Sequence, residues 1–172
     1  MRNLGVTSVI VSHVPEPLVG PLVVLTFFGS PTFLAVATPV SAWLGYRHGF
    51  LTRRNAIRVL LMAAIAIATS AVLKAAFALP RPPVDLWLVS EDGFGFPSGH
   101  ALVTTAVTGS FTALGRRPDR RIAVGVATVF SLGIAATRLL LGVHYLIDVL
   151  AGIGIGLFVV GIGLPITDRA LR

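Results

Sequence analysis

The chain has 172 residues, of which 55% are hydrophobic and only 12% charged, and its mean hydropathy is +0.88. Soluble domains carry about twice that charged fraction, and a chain this short cannot hide so much apolar surface in one core, so a soluble globular enzyme, a disordered chain and a coiled coil are excluded. The net charge of +7 reads as membrane-flanking loops rather than nucleic-acid binding, because basic residues gather on the inner side of membranes and no aromatic-basic interleaving is present.

Residues 1–17 are mixed in character and end in Val14-Pro15-Glu16-Pro17. The apolar run Val9 to Val11 is too short for a signal-peptide core, so this stretch is expected to be an external or interfacial segment. Five apolar stretches follow, at about 18–46, 57–79, 98–114, 122–141 and 144–165. Each is near the ~20 residues a helix needs to cross the hydrocarbon. Pro21, Pro31 and Pro39 are expected to kink or tilt the first. The runs are continuous rather than alternating, which argues against a barrel. The expected architecture is an all-α integral membrane protein, a compact bundle of about five transmembrane helices over 18–165, with 166–172 as a cytoplasmic tail.

Loop charge sets the orientation. Arg47, Arg53, Arg54 and Arg58 flank the first connection, Arg116, Arg117, Arg120 and Arg121 the third, and Arg169 and Arg172 close the chain. These ten fall on one side of a five-span path, which places the N-terminus outside. Lys74, Arg81 and Arg138 break the pattern and call for another explanation.

Those three exceptions fall on one predicted membrane face, together with Pro97-Ser98-Gly99-His100 and with His144 and Asp148. Lys74, Arg81 and Arg138 would make a cationic pocket for phosphate oxygens, arginine by bidentate forks and lysine as a point charge. Ser98 and Gly99 stand where a helix begins and free N–H groups favour an anion. His144 and Asp148 are four apart and share a helix face, so the carboxylate can fix the imidazole tautomer and activate its other nitrogen. His100 could protonate a leaving oxygen. Each group alone has a structural reading: a snorkelling cation, a helix start, an intrahelical pair. Their joint occurrence on one face is equipment for phosphoryl transfer through a phosphohistidine, with no metal or other cofactor required. The chain has no cysteine, and no histidine-carboxylate cluster has the ligand count of a metal cage.

The three spaced motifs resemble those of the type 2 phosphatidic acid phosphatase superfamily, which also includes the vanadium haloperoxidases. Lys74 through Arg81-Pro82 matches the first motif and residues 97–100 the second. Arg138, His144 and Asp148 match the third, with Thr137 in a position usually held by serine. The resemblance covers about residues 18–165. It implies His144 as nucleophile, Asp148 as its orienting partner and His100 as general acid. Lys74, Arg81, Ser98, Gly99 and Arg138 would hold the phosphate. It further implies an enzyme of the plasma membrane, its site facing the periplasm or exterior. The substrate would be a membrane lipid phosphate or polyprenyl diphosphate, phosphatidic acid and phosphatidylglycerol phosphate among the candidates. Many relatives have six spans, so residues 4–13 could represent a reduced first helix. No nucleic-acid partner and no obligate protein partner is expected beyond the bilayer itself. The alternative is a non-catalytic protein that binds or transports an anionic lipid with the same cations.

Two further features complete the reading. Gly152 and Gly156 form a small-x-x-x-small pair in the last span, expected to serve close packing within one chain rather than a dimer seam. The loop 80–97, with Trp87, Glu91, Asp92, Phe94 and Phe96, is expected to cover the site at headgroup depth.

Overall fold

The computed structural model describes residues 4–116 and 119–171. Arg2, Arg117 and Arg172 lie outside the described residues. Seven α-helices and one short 3-10 turn make up the regular structure, and no strand occurs among the described residues. In chain order these are α1 (Leu4–Ser12), α2 (Glu16–Phe27), α3 (Pro31–Arg47), α4 (Arg53–Phe77), the 3-10 turn Val84–Leu86, α5 (Gly99–Leu114), α6 (Arg120–Leu140) and α7 (Leu146–Ala170).

Local chemistry sets the helix starts. Ser30 caps α3 by accepting from Phe33 N, Thr52 caps α4 by accepting from Asn55 N, and Asp119 caps α6 by accepting from Arg121 N and Ile122 N. Each satisfies a donor the first turn would leave orphaned. Gly142, at φ +74°, turns the chain after α6. A Cβ there would stand 2.0 Å from Leu86 O, so the turn needs glycine twice over.

The first expected span is corrected. Residues 18–46 are two helices, α2 and α3, separated at Phe28-Gly29-Ser30, and α1 meets α2 at a bend of 115°. Pro31 does not kink a span: it is the first residue of α3, where its missing N–H costs nothing. Residues 4–12 are helical, and residues 166–170, expected as tail, continue α7. By length and composition α4, α6 and α7 can each cross a bilayer, and α1 with α2 could make a fourth as one bent path. With 17 and 16 residues, α3 and α5 are shorter.

Helix α5 is the axis of the bundle. It packs against α3, α4, α6 and α7, and its residues from Gly99 to Val107 are all buried. Leu34, Met62, Ala66, Leu102, Val103, Ala106 and Val159 form the main core. Outer faces are apolar as well: Val126, Val129, Leu132, Leu157 and Phe158 are exposed. Lipid tails are as apolar as these side chains, so association rests on close packing rather than on hydrophobic segregation. Gly152 and Gly156 supply that packing. Their Cα atoms face α5, and a Cβ would lie 2.6 Å from Ser98 O and Leu102 O respectively.

Opposite ends of the bundle carry different chemistry. At one end Arg54 and Arg58 both pair with Asp168 at 3.2 Å, and buried Arg58 donates to Leu164 O at 2.8 Å. These contacts tie the start of α4 to the end of α7. At the other end α4 finishes, α5 and α7 begin, and α6 finishes.

Candidate active site

All eight residues singled out from the sequence lie at that second end. Lys74 sits in the last turn of α4, which stops at Ala78 in the left-handed conformation with its N–H bonded to Lys74 O. Arg81 follows in the 78–98 loop, its side chain only 5% exposed. Ser98 is the residue before α5 and is fully buried. Its N–H donates to Asp148 O at 2.9 Å, which joins the starts of α5 and α7 directly. Among the described residues its hydroxyl has no hydrogen-bond partner. Gly99 is needed for helix packing, since a Cβ there would meet Ser70 Oγ at 2.9 Å. His100, nine-tenths buried, interacts electrostatically with Arg138, His144, Arg81 and Lys74.

The second half comes from α6 and α7. Arg138 is 1% exposed. It donates to Thr26 Oγ1 of α2 at 2.9 Å and pairs with the Glu91 carboxylate. His144 lies in the short turn between the two helices, buried, with its Nε2 3.1 Å from Arg81 Nη1. A guanidinium only donates, so Nε2 is the acceptor and the ring proton belongs on Nδ1. Nδ1 faces Asp148 Oδ2 at 3.6 Å. That is beyond hydrogen-bond length, so the expected Asp148 contact is electrostatic in this geometry. Asp148 Oδ2 accepts instead from Tyr145 N at 3.0 Å, capping α7. The carboxylate thus has two tasks, holding the helix start and facing the imidazole. Thr137, in the motif's serine position, turns its hydroxyl to Ile134 O at 2.6 Å within its own helix.

The electrostatics favour a neutral imidazole. Burial first, then Arg81, Arg138 and Lys74, drive His144 well below the usual histidine range, opposed by a backbone bond to Gly95. The ring is therefore neutral at pH 7, with a lone pair on Nε2. Burial also lowers Arg81 from the usual arginine range, while Glu91 raises it. Its guanidinium remains charged, as arginine does in proteins.

Two contributors were not legible in the sequence. Thr26 had no signal, because it reaches Arg138 across more than a hundred residues. Glu91 was expected only as part of a covering loop, but its carboxylate pairs with Arg138 and lies 3.6 Å from Arg81. The loop does lie on the site cations: Asp92 O and Gly93 O accept from Arg81 at 2.8 and 3.0 Å, and Phe94 O accepts from Lys74. Trp87 is fixed by a bond from its indole N–H to Pro82 O at 2.8 Å.

Residues 55–172 match the PAP2 superfamily. The dihydrosphingosine 1-phosphate phosphatase of Saccharomyces cerevisiae is 32% identical over 143 residues, covering 76% of this chain and 34% of that protein. The chain therefore spans about a third of that relative's length. A transmembrane PAP2-type phosphatidylglycerolphosphate phosphatase from Bacillus subtilis superposes with a TM-score of 0.77 at 24% identity, covering 96% of this chain and 84% of that one. Aquifex aeolicus LpxE superposes with a TM-score of 0.79 at 18% identity, covering 95% and 94%. These two likenesses establish a shared fold.

Proposed function

Because the chain belongs to the PAP2 superfamily, we propose that it is a lipid phosphate phosphatase that works through a phosphohistidine at His144. The observation that carries this reading is the placement of His144. Its Nε2 lies 3.1 Å from an Arg81 donor while its Nδ1 faces a buried carboxylate. A neutral imidazole so oriented presents its lone pair where a cation would hold a phosphoryl oxygen.

In the first step Arg81, Arg138 and Lys74 bind the nonbridging oxygens, joined by the Ser98 hydroxyl and the N–H groups that open α5. Nε2 attacks phosphorus, and the bond to the lipid oxygen breaks with its electron pair leaving on that oxygen. His100, protonated as the anionic phosphate enters among the cations, delivers the proton the alkoxide needs and is left neutral. Asp148 stabilises the positive charge on the His144 ring, and the 3.6 Å separation shortens as that charge develops. In the second step His100 takes a proton from water, the hydroxide attacks phosphorus, and the P–N bond breaks. Orthophosphate leaves, and His144 is again neutral. The cations act through electrostatic stabilisation of the spreading charge, the main catalytic lever in phosphoryl transfer.

The substrate is a phosphate or diphosphate on an apolar anchor, met at a membrane face. The opposite end of the bundle carries Arg47, Arg53, Arg54 and Arg58, so by the positive-inside rule the site faces the periplasm or exterior of the plasma membrane. The test is phosphate release by purified protein in detergent from phosphatidic acid, phosphatidylglycerol phosphate and a polyprenyl diphosphate, with EDTA present. At least one should turn over, and His144→Ala should abolish it. Binding without release by the native protein would instead favour an anionic-lipid binding or transport protein. Activity restored only by a divalent metal would refute metal independence.

A further inference from the structure

The segment 91–95 is bonded to every cation of the site. Glu91 places Oε2 on Arg138 and Oε1 3.6 Å from Arg81. The next three residues offer their carbonyls to the same groups, Asp92 and Gly93 to Arg81 and Phe94 to Lys74. The Glu91 side chain is 25% exposed while those of Arg81 and Arg138 are 5% and 1% exposed, so its carboxylate reaches in from the rim. A carboxylate bridging two guanidiniums uses the same fork geometry as two phosphate oxygens.

We propose that Glu91 is an internal competitor for the phosphate seat, displaced when substrate phosphate binds and returning to help expel orthophosphate after the second step. Resting on the phosphatase reading, this assigns Glu91 a role in product release. Charge balance supports it. With Glu91 and Asp148 both present, Lys74, Arg81 and Arg138 leave a single excess positive charge. With Glu91 displaced the excess rises by one, to two before the further charge of Asp92 near Arg81 is counted, which suits a phosphate monoester of roughly −1.5 to −2 better than the occupied seat does. Arg138 keeps its bond to Thr26 Oγ1 through Nη1, so only its other amino group must change partner. A pocket with three cations and no competing anion would hold orthophosphate as firmly as substrate, and tight binding of product lowers turnover.

The test is Glu91→Gln in the full-length protein, which keeps the side-chain shape and removes the charge. Orthophosphate should inhibit the variant at a concentration at least about tenfold lower than the native enzyme, and KM for a soluble phosphate ester should fall in the same direction. Turnover at saturation should fall rather than rise, while the first turnover in a rapid-mixing experiment is preserved. Calorimetric titration of both proteins with orthophosphate measures the same tightening without turnover. It therefore separates the two readings: tighter phosphate binding in a protein that hydrolyses no lipid phosphate would keep Glu91 as a competitor for the phosphate seat and remove both the phosphatase assignment and the product-release role. Glu91→Ala should shift orthophosphate affinity in the same direction. An unchanged or weaker affinity in both variants would show that Glu91 only braces the two arginines, and would overturn the proposal.

Discussion

Gly152 is where helix packing meets the proposed active site. A methyl group at this position would stand 2.6 Å from Ser98 O and 3.1 Å from the Ala101 Cβ. Carbon and oxygen approach to about 3.3 Å at closest, so Gly152→Ala must move α5 from α7 by about 0.7 Å. The strain is borne by backbone, and overpacking of this kind costs about 1–3 kcal/mol. The displaced atom belongs to Ser98, whose N–H is bonded to Asp148 O. The shift therefore separates the Ser98–His100 turn from His144 and Asp148. A misplacement near 1 Å can cost about 10²-fold in rate, so kcat should fall by about one to two orders of magnitude. Gly156→Ala meets a like obstacle, Leu102 O at 2.6 Å and the Thr105 Cβ at 2.9 Å, but one turn, about 6 Å, further from the site. It should lose comparable stability and much less activity. Gly154 has nothing within 4 Å, so Gly154→Ala should leave both unchanged. The assays are thermal unfolding in detergent and kcat and KM on one phosphate ester. Equal activities for Gly152→Ala and Gly154→Ala, or equal activity losses for the 152 and 156 variants, would refute the reasoning.

Three further outcomes are expected. His100→Ala should slow the first turnover of a lipid monophosphate by about 10²–10⁴-fold, and that of a diphosphate or nitrophenyl phosphate far less, because those leaving groups need no proton. Equal losses would remove His100 as the acid. The His144 ring, followed by NMR in labelled protein, should still be neutral at pH 6.5, because burial and the neighbouring cations disfavour its charged form. Arg81→Gln should move its titration upward, since one positive neighbour is lost, and titration of the native ring at or above pH 6.5 would contradict this. Cysteines introduced at Asp85 and His48, in a chain with none of its own, should label from opposite sides of intact cells. Labelling from one side would defeat the proposed orientation.

Sequence alone determined the helical class, the family and the clustering of Lys74, Arg81, Ser98, His100, Arg138, His144 and Asp148 at one end. Long apolar runs admit only helices when the composition is this poor in charge, and helix length converts residue spacing into position along the bundle axis. Loop charge and the i, i+4 relation of His144 and Asp148 needed nothing beyond local geometry. The limits were of two kinds. The break at Phe28-Gly29-Ser30 was hidden because helix and turn are equally apolar there, and hydropathy does not register a cap. The tertiary structure alone decided which atoms meet. Thr26 reaches Arg138 from α2, Glu91 lies on two arginines from a loop, and Asp148 Oδ2 caps α7 at 3.0 Å while standing 3.6 Å from the imidazole. Such contacts depend on how far each helix slides and rotates against its neighbours. Those displacements are set by packing such as Gly152 against Ser98, which no periodicity along the chain encodes.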